Sequence, residues 1–451
     1  ERGGSPRDRR SESDAPRSTR SQRLAILQNL VTVCRARFGL RNKRNFFNKR
    51  RVDLIPMFPH SSQARARHTR TMSRDASSPM YDAERYTRAT VGESPSLLAN
   101  NLTAGPSTLA YVHDTQALMV PVERLLVGAR TEKLPILTKG GNRVATQVKA
   151  VTLGASSFFV LCTVQGVHFF DEHGYERVHY HDFAEKNHHA NNHARPDGSV
   201  VVDGGGVARM CGRGVCSSCS RDGRAQVLVG TAVGDVLVFE FDGESFRKTD
   251  DDVSMATSGA VPVADCASEV DSRRGAFPPD STARVDEQCV AVTANDAGLV
   301  VAWDVVSSDS FQKIFSIQRP GPIVSLAARN GVIVIAESGG VLSFASTTTK
   351  RVFCETQAHA RFLSAAALHP RRDIVATVAE DGTIAVWGMP SEILDTNDDD
   401  DENEIAEKSL PKSLFAARWP DGMLTGVAFC GDGDDALAVC AYDETEIVAW
   451  Q

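Results

Sequence analysis

The sequence predicts an all-β protein, a seven-bladed β-propeller preceded by a disordered basic N-terminal segment. From about residue 95 the chain consists of short apolar strands separated by Gly, Asp, Asn and Pro, and one strand pattern recurs six times. Residues 1–79 contain 19 Lys and Arg against 6 Asp and Glu, whereas residues 80–451 contain 31 against 51. This change of charge near residue 80 indicates a boundary between two physical classes of chain.

The recurring unit is a small apolar strand, a tight turn with Gly or Asp, and an alternating strand that ends in an aromatic residue. The six aromatic residues are Phe170, Phe239, Trp303, Phe344, Trp387 and Trp450. Their spacings are 69, 64, 41, 43 and 63 residues, and the two short spacings match the blade period of about 40–45 residues. The longer spacings contain polar or acidic insertions. Since such a hairpin cannot bury both faces alone, stacking around an axis is the arrangement that buries them.

A weaker strand pattern over residues 108–123 adds one more blade, so we predict seven. Their ranges are about 106–136, 146–181, 206–247, 260–318, 321–357, 361–390 and 412–450. The last blade ends with its third strand at Trp450 and therefore lacks an outermost strand. We expect residues 96–104 to supply it and to close the ring within a domain that spans 80–451.

Residues 1–79 are rich in Arg and Ser and contain too little apolar surface to fold alone. One interpretation is that they are untranslated or mis-annotated, because translation begins at Met72 or Met80. The others are a functional disordered tail, such as a basic arm for nucleic acid or nuclear import, and an organellar transit peptide.

Residues 359–387 (HARFLSAAALHPRRDIVATVAEDGTIAVW) resemble a near-complete repeat of the WD40 family. In that family a His, a Ser or Thr, an Asp and a Trp form a buried hydrogen-bond relay, and His359, Thr377, Asp381 and Trp387 occupy these places here. The resemblance implies that the four residues are structural and that the propeller is a non-enzymatic scaffold for protein–protein interactions. Stretches such as VQGVHFFDEHGYERVHYH resemble one individual member of the family more closely, within a likeness that spans about residues 80–451.

Three further clusters have a metal-binding interpretation and a simpler one. The five histidines between residues 179 and 193 are of a type that binds Zn²⁺, Ni²⁺ or Cu²⁺, but a flexible polar loop is favoured because no pattern fixes ligand geometry. Cys211, Cys216 and Cys219 include one C-x-x-C without a second pair at zinc spacing, which favours core or strand cysteines. The acidic run 395–407 lacks the Gly and final Glu of a calcium loop, which favours a solvated inter-blade loop; its charge would also suit a basic partner.

No nucleophile elbow, Walker loop, zincin helix or dinucleotide fingerprint occurs in the sequence. We therefore predict no enzyme, no catalytic residue, no cofactor and no bound metal. Cysteines scattered through apolar strands, and the absence of a membrane-length apolar run, indicate a cytoplasmic protein. Its acidic body disfavours nucleic acid. The alternatives are a subunit of a ciliary or trafficking assembly, and an enzyme or ligand sensor that uses the central channel.

Overall fold

The computed structural model describes residues 81–129, 134–136, 144–183 except 175, 211–249, 253–254, 261–268, 290–390, and 410–451 except 432 and 434. The segment 1–79, the histidines of the 179–193 run beyond residue 183 and the acidic run 395–407 lie outside these residues. What was predicted for them stays a prediction.

The described strands form seven antiparallel sheets, and the predicted seven-bladed propeller is confirmed. The first blades consist of β2 (Thr103–Ala104), β3 (Thr108–His113), β4 (Gln116–Pro121) and β5 (Leu134–Ile136) in blade 1, with α1 (Val122–Leu126) after β4; β6 (Ala145–Leu153), β7 (Ser156–Thr163), β8 (Gly166–Asp171) and β9 (Arg177–Asp182) in blade 2; and β10 (Gly212–Cys219), β11 (Ala225–Thr231), β12 (Asp235–Phe241), β13 (Phe246–Lys248) and β14 (Val253–Ser254) in blade 3.

The remaining blades consist of β15 (Val263–Ser268), β16 (Val290–Asn295), β17 (Leu299–Ser307) and β18 (Ser310–Gln318) in blade 4; β19 (Ile323–Arg329), β20 (Val332–Glu337), β21 (Val341–Ser346) and β22 (Arg351–Gln357) in blade 5; β23 (Leu363–Leu368), β24 (Ile374–Ala379), β25 (Thr383–Gly388) and β26 (Lys412–Arg418) in blade 6; and β27 (Met423–Cys430), β28 (Ala436–Tyr442), β29 (Glu446–Trp450) and β1 (Tyr86–Thr90) in blade 7.

The core is divided into layers between neighbouring blades. In β28, Leu437 and Val439 pack into the cluster shared with blade 6, whereas Ala438 and Cys440 pack into the cluster shared with blade 1. Successive side chains of a strand point to opposite faces of the sheet, so an apolar middle strand serves two layers at once. This is why the second and third strands are almost continuously apolar.

The strand that closes the ring was predicted wrongly. Tyr86–Thr90 pairs antiparallel with Glu446–Trp450, and residues 96–104 do not form that strand. The sequence 86–90 contains the two threonines and the tyrosine that favour a strand. The predicted segment contains Asn100 in the left-handed region (φ 53°), which interrupts an extended chain.

The boundary between blades 6 and 7 was also misplaced. Lys412–Arg418 pairs with β25 and is the outermost strand of blade 6, not the first strand of blade 7. The acidic insertion therefore falls inside blade 6, between its third and fourth strands, rather than between two blades. An insertion at this point hides the continuation of the sheet from a periodicity argument.

The two faces of the propeller carry different connections, because neighbouring strands run antiparallel. We call upper face the one that carries the turns between second and third strands and the connections from one blade to the next. The lower face carries the turns between first and second strands and those between third and fourth strands.

Candidate functional site

The four residues predicted as a relay lie together in blade 6, and a fifth residue joins them. The Trp387 indole N–H donates to Thr377 Oγ1 over 3.0 Å, and Thr377 Oγ1 lies 2.8 Å from His359 Nε2. On the other side, His359 Nδ1 lies 2.8 Å from Thr383 Oγ1, which donates to Asp381 over 2.5 Å. Thr383 therefore stands between the histidine and the aspartate.

The relay has one consistent direction, because each hydroxyl has a single hydrogen to donate. Trp387 donates to Thr377, Thr377 to His359, His359 to Thr383 and Thr383 to Asp381. This order requires a neutral imidazole that carries its hydrogen on Nδ1. Burial lowers the pKa of His359 to about 4, against the opposite effect of the Asp381 carboxylate, so the ring is neutral at pH 7.

The aromatic residues that were predicted to close the repeats all lie in third strands, from Phe170 in β8 to Trp450 in β29. In blade 4 the Trp303 indole donates to Thr293 over 2.9 Å. In blades 4 and 6 the tryptophan lies opposite a residue of the second strand, and the threonine follows that residue by two positions. In blade 7 the corresponding position is occupied by Val439. Accordingly, the buried Trp450 Nε1 has no hydrogen-bond partner in the described part of the chain.

Blade 5 replaces the histidine of the relay by an arginine. The main-chain N–H of Arg319 donates to the Gly298 carbonyl, just as that of His359 donates to Gly340. Arg319 Nη2 lies 2.7 Å from Glu337 and Nη1 lies 2.6 Å from Glu355, with the arginine and Glu337 both buried. The sequence reasoning missed this pair, because the only signal was an Arg at the place of a His before an inner strand.

The innermost strands line a central cavity of about 120 Å³. Its polar side chains are used largely to join blades. Gln147 Oε1 accepts from the Gly214 N–H of blade 3 over 2.7 Å, and Thr103 Oγ1 accepts from the Ala150 N–H of blade 2 over 3.0 Å. These strands are the inner edges of their sheets, and side chains thus satisfy N–H groups that no strand pairs.

Among the described acidic residues of the channel, Asp265 has the most strongly shifted pKa. Burial raises its pKa to about 6, although Lys149 and Arg213 and two main-chain N–H groups act in the opposite direction. Its carboxylate accepts from Cys266 N over 3.0 Å and from Leu326 N over 2.8 Å, and so joins blade 4 to blade 5. A raised pKa is a frequent property of catalytic acids, but here both oxygens already bond the main chain.

The upper end of this cavity is bordered by the connection between β1 and β2, which includes residues 96–102 of the segment predicted to close the ring. Residues 91–102 connect β1 to β2 and contribute Asn100 and Leu102 to the cavity wall. Asn100 Nδ2 donates to the Val324 carbonyl over 2.9 Å, and Asn101 Oδ1 accepts from Val112 N over 2.7 Å. We call residues 91–102 the strap.

Two of the clusters that were weighed as metal sites lie partly in strands. His179 and His181 belong to β9, where their rings contact Phe239, so this part of the histidine run is not the flexible loop that was predicted. Cys216 and Cys219 lie in β10, as predicted for strand cysteines. Among the described residues, no three His, Cys, Asp or Glu side chains are placed to hold a metal ion.

Comparison with known proteins decides the family. The family model described as WDR54 matches residues 136–451. The chain belongs to the WDR54 family. The closer resemblance expected from the sequence is thereby confirmed, since the human protein named WD repeat-containing protein 54 is 26% identical over 306 residues, which cover 67% of this chain and 77% of the human protein. The rat protein named WD repeat domain 54 is 25% identical over 262 residues, 56% of this chain and 69% of its own length.

Solved structures of low sequence identity share the fold. A chain of the mitotic checkpoint complex superposes with a TM-score of 0.55 at 12% identity, covering 86% of this chain and 99% of its own. Raptor from Chaetomium thermophilum superposes with a TM-score of 0.53 at 9% identity, covering 81% of this chain and 29% of its own. Within the part of this chain that the structure describes, no helix is long and apolar enough to cross a membrane.

Proposed function

We propose that this protein is a non-enzymatic scaffold of the cytoplasm that binds protein partners on the faces of its propeller. The observation that carries the proposal is the use of the channel polar groups by the ring itself. Gln147, Asp265 and Asn100 all bond the main chain of other blades, which favours a structural channel over a catalytic one. Turns held by a rigid ring are the elements on which binding residues are usually placed.

The upper face favours a partner with a basic surface. Asp114, Asp421 and Asp443 are exposed on its connections in blades 1, 6 and 7, each in the left-handed region. Residues 80–451 as a whole carry 20 more acidic than basic side chains. Such a charge excess raises the rate of encounter with a cationic partner and disfavours nucleic acid. Membership of a ciliary or trafficking assembly is a specialised form of the same proposal.

A ligand sensor or enzyme that uses the channel is the second candidate. The observation in its favour is the buried Asp265 carboxylate with a pKa of about 6, in electrostatic contact with Lys149. The size of the cavity argues against it, since about 120 Å³ is well below the roughly 300–1,000 Å³ of common ligand sites. Lys149→Met abolishes ligand-induced thermal stabilisation if this candidate is correct.

The test is affinity purification of the tagged full chain from its own cells, with quantitative mass spectrometry of what is retained. We expect partners in stoichiometric amount, whereas recovery of the chain alone would refute the scaffold. The variant Asp114→Asn, Asp421→Asn and Asp443→Asn removes three charges and keeps a residue that tolerates the left-handed region. We expect the affinity of this variant for a basic partner to fall at least fivefold.

The matched control removes three exposed carboxylates from the lower face. It consists of Glu123→Gln, Glu172→Gln and Asp309→Asn. Equal losses of affinity in the two variants would show that net charge, and not the upper face, determines binding.

A further inference from the structure

The strap takes an unexpected path between the two strands that it connects. It leaves β1 at the outer edge of blade 7 and enters β2 at the inner edge of blade 1, which are neighbouring blades. Its hydrogen bonds nevertheless reach blades 5 and 6. Asn100 N donates to the Ser364 carbonyl over 3.1 Å, Asn100 Nδ2 donates to Val324 over 2.9 Å, and Asn100 Oδ1 accepts from Ala366 N over 3.3 Å.

The next two residues fix the strap to blades 7 and 1. Asn101 N donates to the Thr425 carbonyl over 2.9 Å, and its buried side chain exchanges two hydrogen bonds with Val112. Leu102 packs against Gly426, where an added Cβ would lie 2.5 Å from the Leu102 Cβ. Four of the seven blades are therefore joined through three consecutive residues of the strap.

The cavity lies on one side of the strap. A register shift marks the upper end of the inner strands of blades 2, 4, 5, 6 and 7. Every inner-strand residue of those blades that lines the cavity lies at or below this shift, from Gln147 in β6 to Phe429 in β27. The strap residues Asn100 and Leu102 complete the wall.

From this geometry we propose that the strap closes the upper mouth of the channel, in the manner of a bound peptide that belongs to the chain itself. The Asn100 side chain takes the place that an inserted ligand side chain would need. A molecule that enters the channel does so from the lower face, and entry from the upper face requires displacement of the strap. This device is independent of whether the faces bind proteins.

The first measurement uses the unaltered protein. Amide hydrogen exchange should show Asn100 and Asn101 protected to within tenfold of the inner strands, because their N–H groups bond blades 6 and 7. Complete exchange of both amides within seconds would refute the closed mouth.

The second measurement uses two cysteine reporters and a maleimide carrying a bulky polyethylene glycol chain. Ala366→Cys lies beside Asn100, and Thr152→Cys lies near the lower end of the channel wall. The bulky reagent labels a thiol only at an open mouth, and mass spectrometry of the reporter peptide separates it from the native cysteines. We expect the reagent to label the Thr152→Cys variant and not the Ala366→Cys variant.

Displacement of the strap is tested with Asn100→Gly, which removes the side chain and keeps the left-handed backbone accessible (φ 53°). We expect labelling at position 366 to rise at least tenfold and labelling at 152 to change less than twofold. The matched control is Asn330→Gly, because Asn330 is also left-handed (φ 49°) but lies on the lower face and bonds Asp373. Exchange protection of β16 verifies that each variant is folded.

Two results would overturn the proposal. One is equal labelling of position 366 with and without Asn100, and the other is failure of the reagent to reach position 152 in the unaltered background. The native-exchange measurement decides the matter if Asn100→Gly does not fold.

Discussion

The tryptophan of blade 7 offers a direct test of how the relay stabilises the ring. Its indole N–H is buried and has no hydrogen-bond partner in the described part of the chain, while Val439 occupies the place of the threonine that serves Trp303 and Trp387. Val439→Thr adds a hydroxyl in nearly the same volume. In blades 4 and 6 the same placement gives N–O distances of 2.9 and 3.0 Å.

The expected gain follows from two opposing contributions. Leaving a buried donor unsatisfied costs about 1–3 kcal/mol, and burying the new hydroxyl costs about 1–2 kcal/mol unless it also donates. We expect a net stabilisation of about 1 kcal/mol, which for a domain of this size raises the midpoint of thermal unfolding by about 1–3 °C. Differential scanning calorimetry of both proteins in one buffer measures it.

The control is the same substitution where no indole is present. Val229 has the corresponding register position in blade 3, but the aromatic residue there is Phe239, which has no N–H to donate. We expect Val229→Thr to destabilise by about 1–2 kcal/mol. If Val439→Thr lowers the unfolding midpoint as much as Val229→Thr does, the relay argument for blade 7 is refuted.

Three further outcomes are expected. The pKa of His359 is about 4 in the folded protein and near 6.5 in the unfolded chain, so its contribution to the free energy of unfolding falls by about 3 kcal/mol as the pH drops from 6.5 to 4. In His359→Gln this loss of stability should be absent when the unfolding midpoint is measured against pH. The pKa of Asp265 is about 6 in the folded protein and 3.8 in the unfolded chain, so its contribution to the free energy of unfolding rises over the same drop in pH. Asp265→Asn should therefore make the loss of stability in acid steeper. An unchanged slope of stability against pH would contradict the raised pKa of Asp265. Gly340→Ala should lower the free energy of unfolding by more than about 3 kcal/mol, because the new Cβ would lie 2.1 Å from the His359 carbonyl oxygen and the residue has φ +86°. In the control Gly339→Ala the new Cβ meets nothing within 4 Å, so the free energy of unfolding in urea should change by less than about 1 kcal/mol.

The number of blades could be predicted because it depends on a local pattern. In six of the seven blades the third strand contains an aromatic residue, such as Phe344 or Trp387, and its partner strand precedes it by one tight turn. Two alternating strands and a turn are visible in a short window of sequence. The relay of blade 6 could be located for the same reason.

The ring closure could not be predicted, because it is a pairing over long sequence separation. Nothing local in Tyr86–Thr90 distinguishes it from another short strand, and its partner lies at the opposite end of the domain. The strap was mistaken for that strand since SLLANNL has an apolar start and the correct distance from blade 1. The left-handed Asn100 is stabilised by blades 5 and 6, which a local reading does not include.

The participation of Thr383 and Arg319 was missed for a different reason. Thr383 is two residues from Asp381, and only the folded chain shows that the Thr383 hydroxyl, rather than the Asp381 carboxylate, faces the imidazole. Arg319 replaces a histidine by a side chain of another shape, and its acceptor Glu337 comes from the second strand. Such substitutions preserve burial and hydrogen bonding while they erase the motif.

The pairing of β1 with β29 also determines when the protein is able to fold. Thr87 and Ala449 are joined across a separation of 362 residues, so blade 7 is incomplete until nearly all of the domain has left the ribosome. During synthesis at about 5–20 residues per second, β1 remains without its partner strand for roughly 20–70 seconds. A strand without its partner has unpaired main-chain N–H and C=O groups, which are able to pair with other chains during that time. The nascent chain therefore carries an unpaired strand through most of the synthesis of its domain.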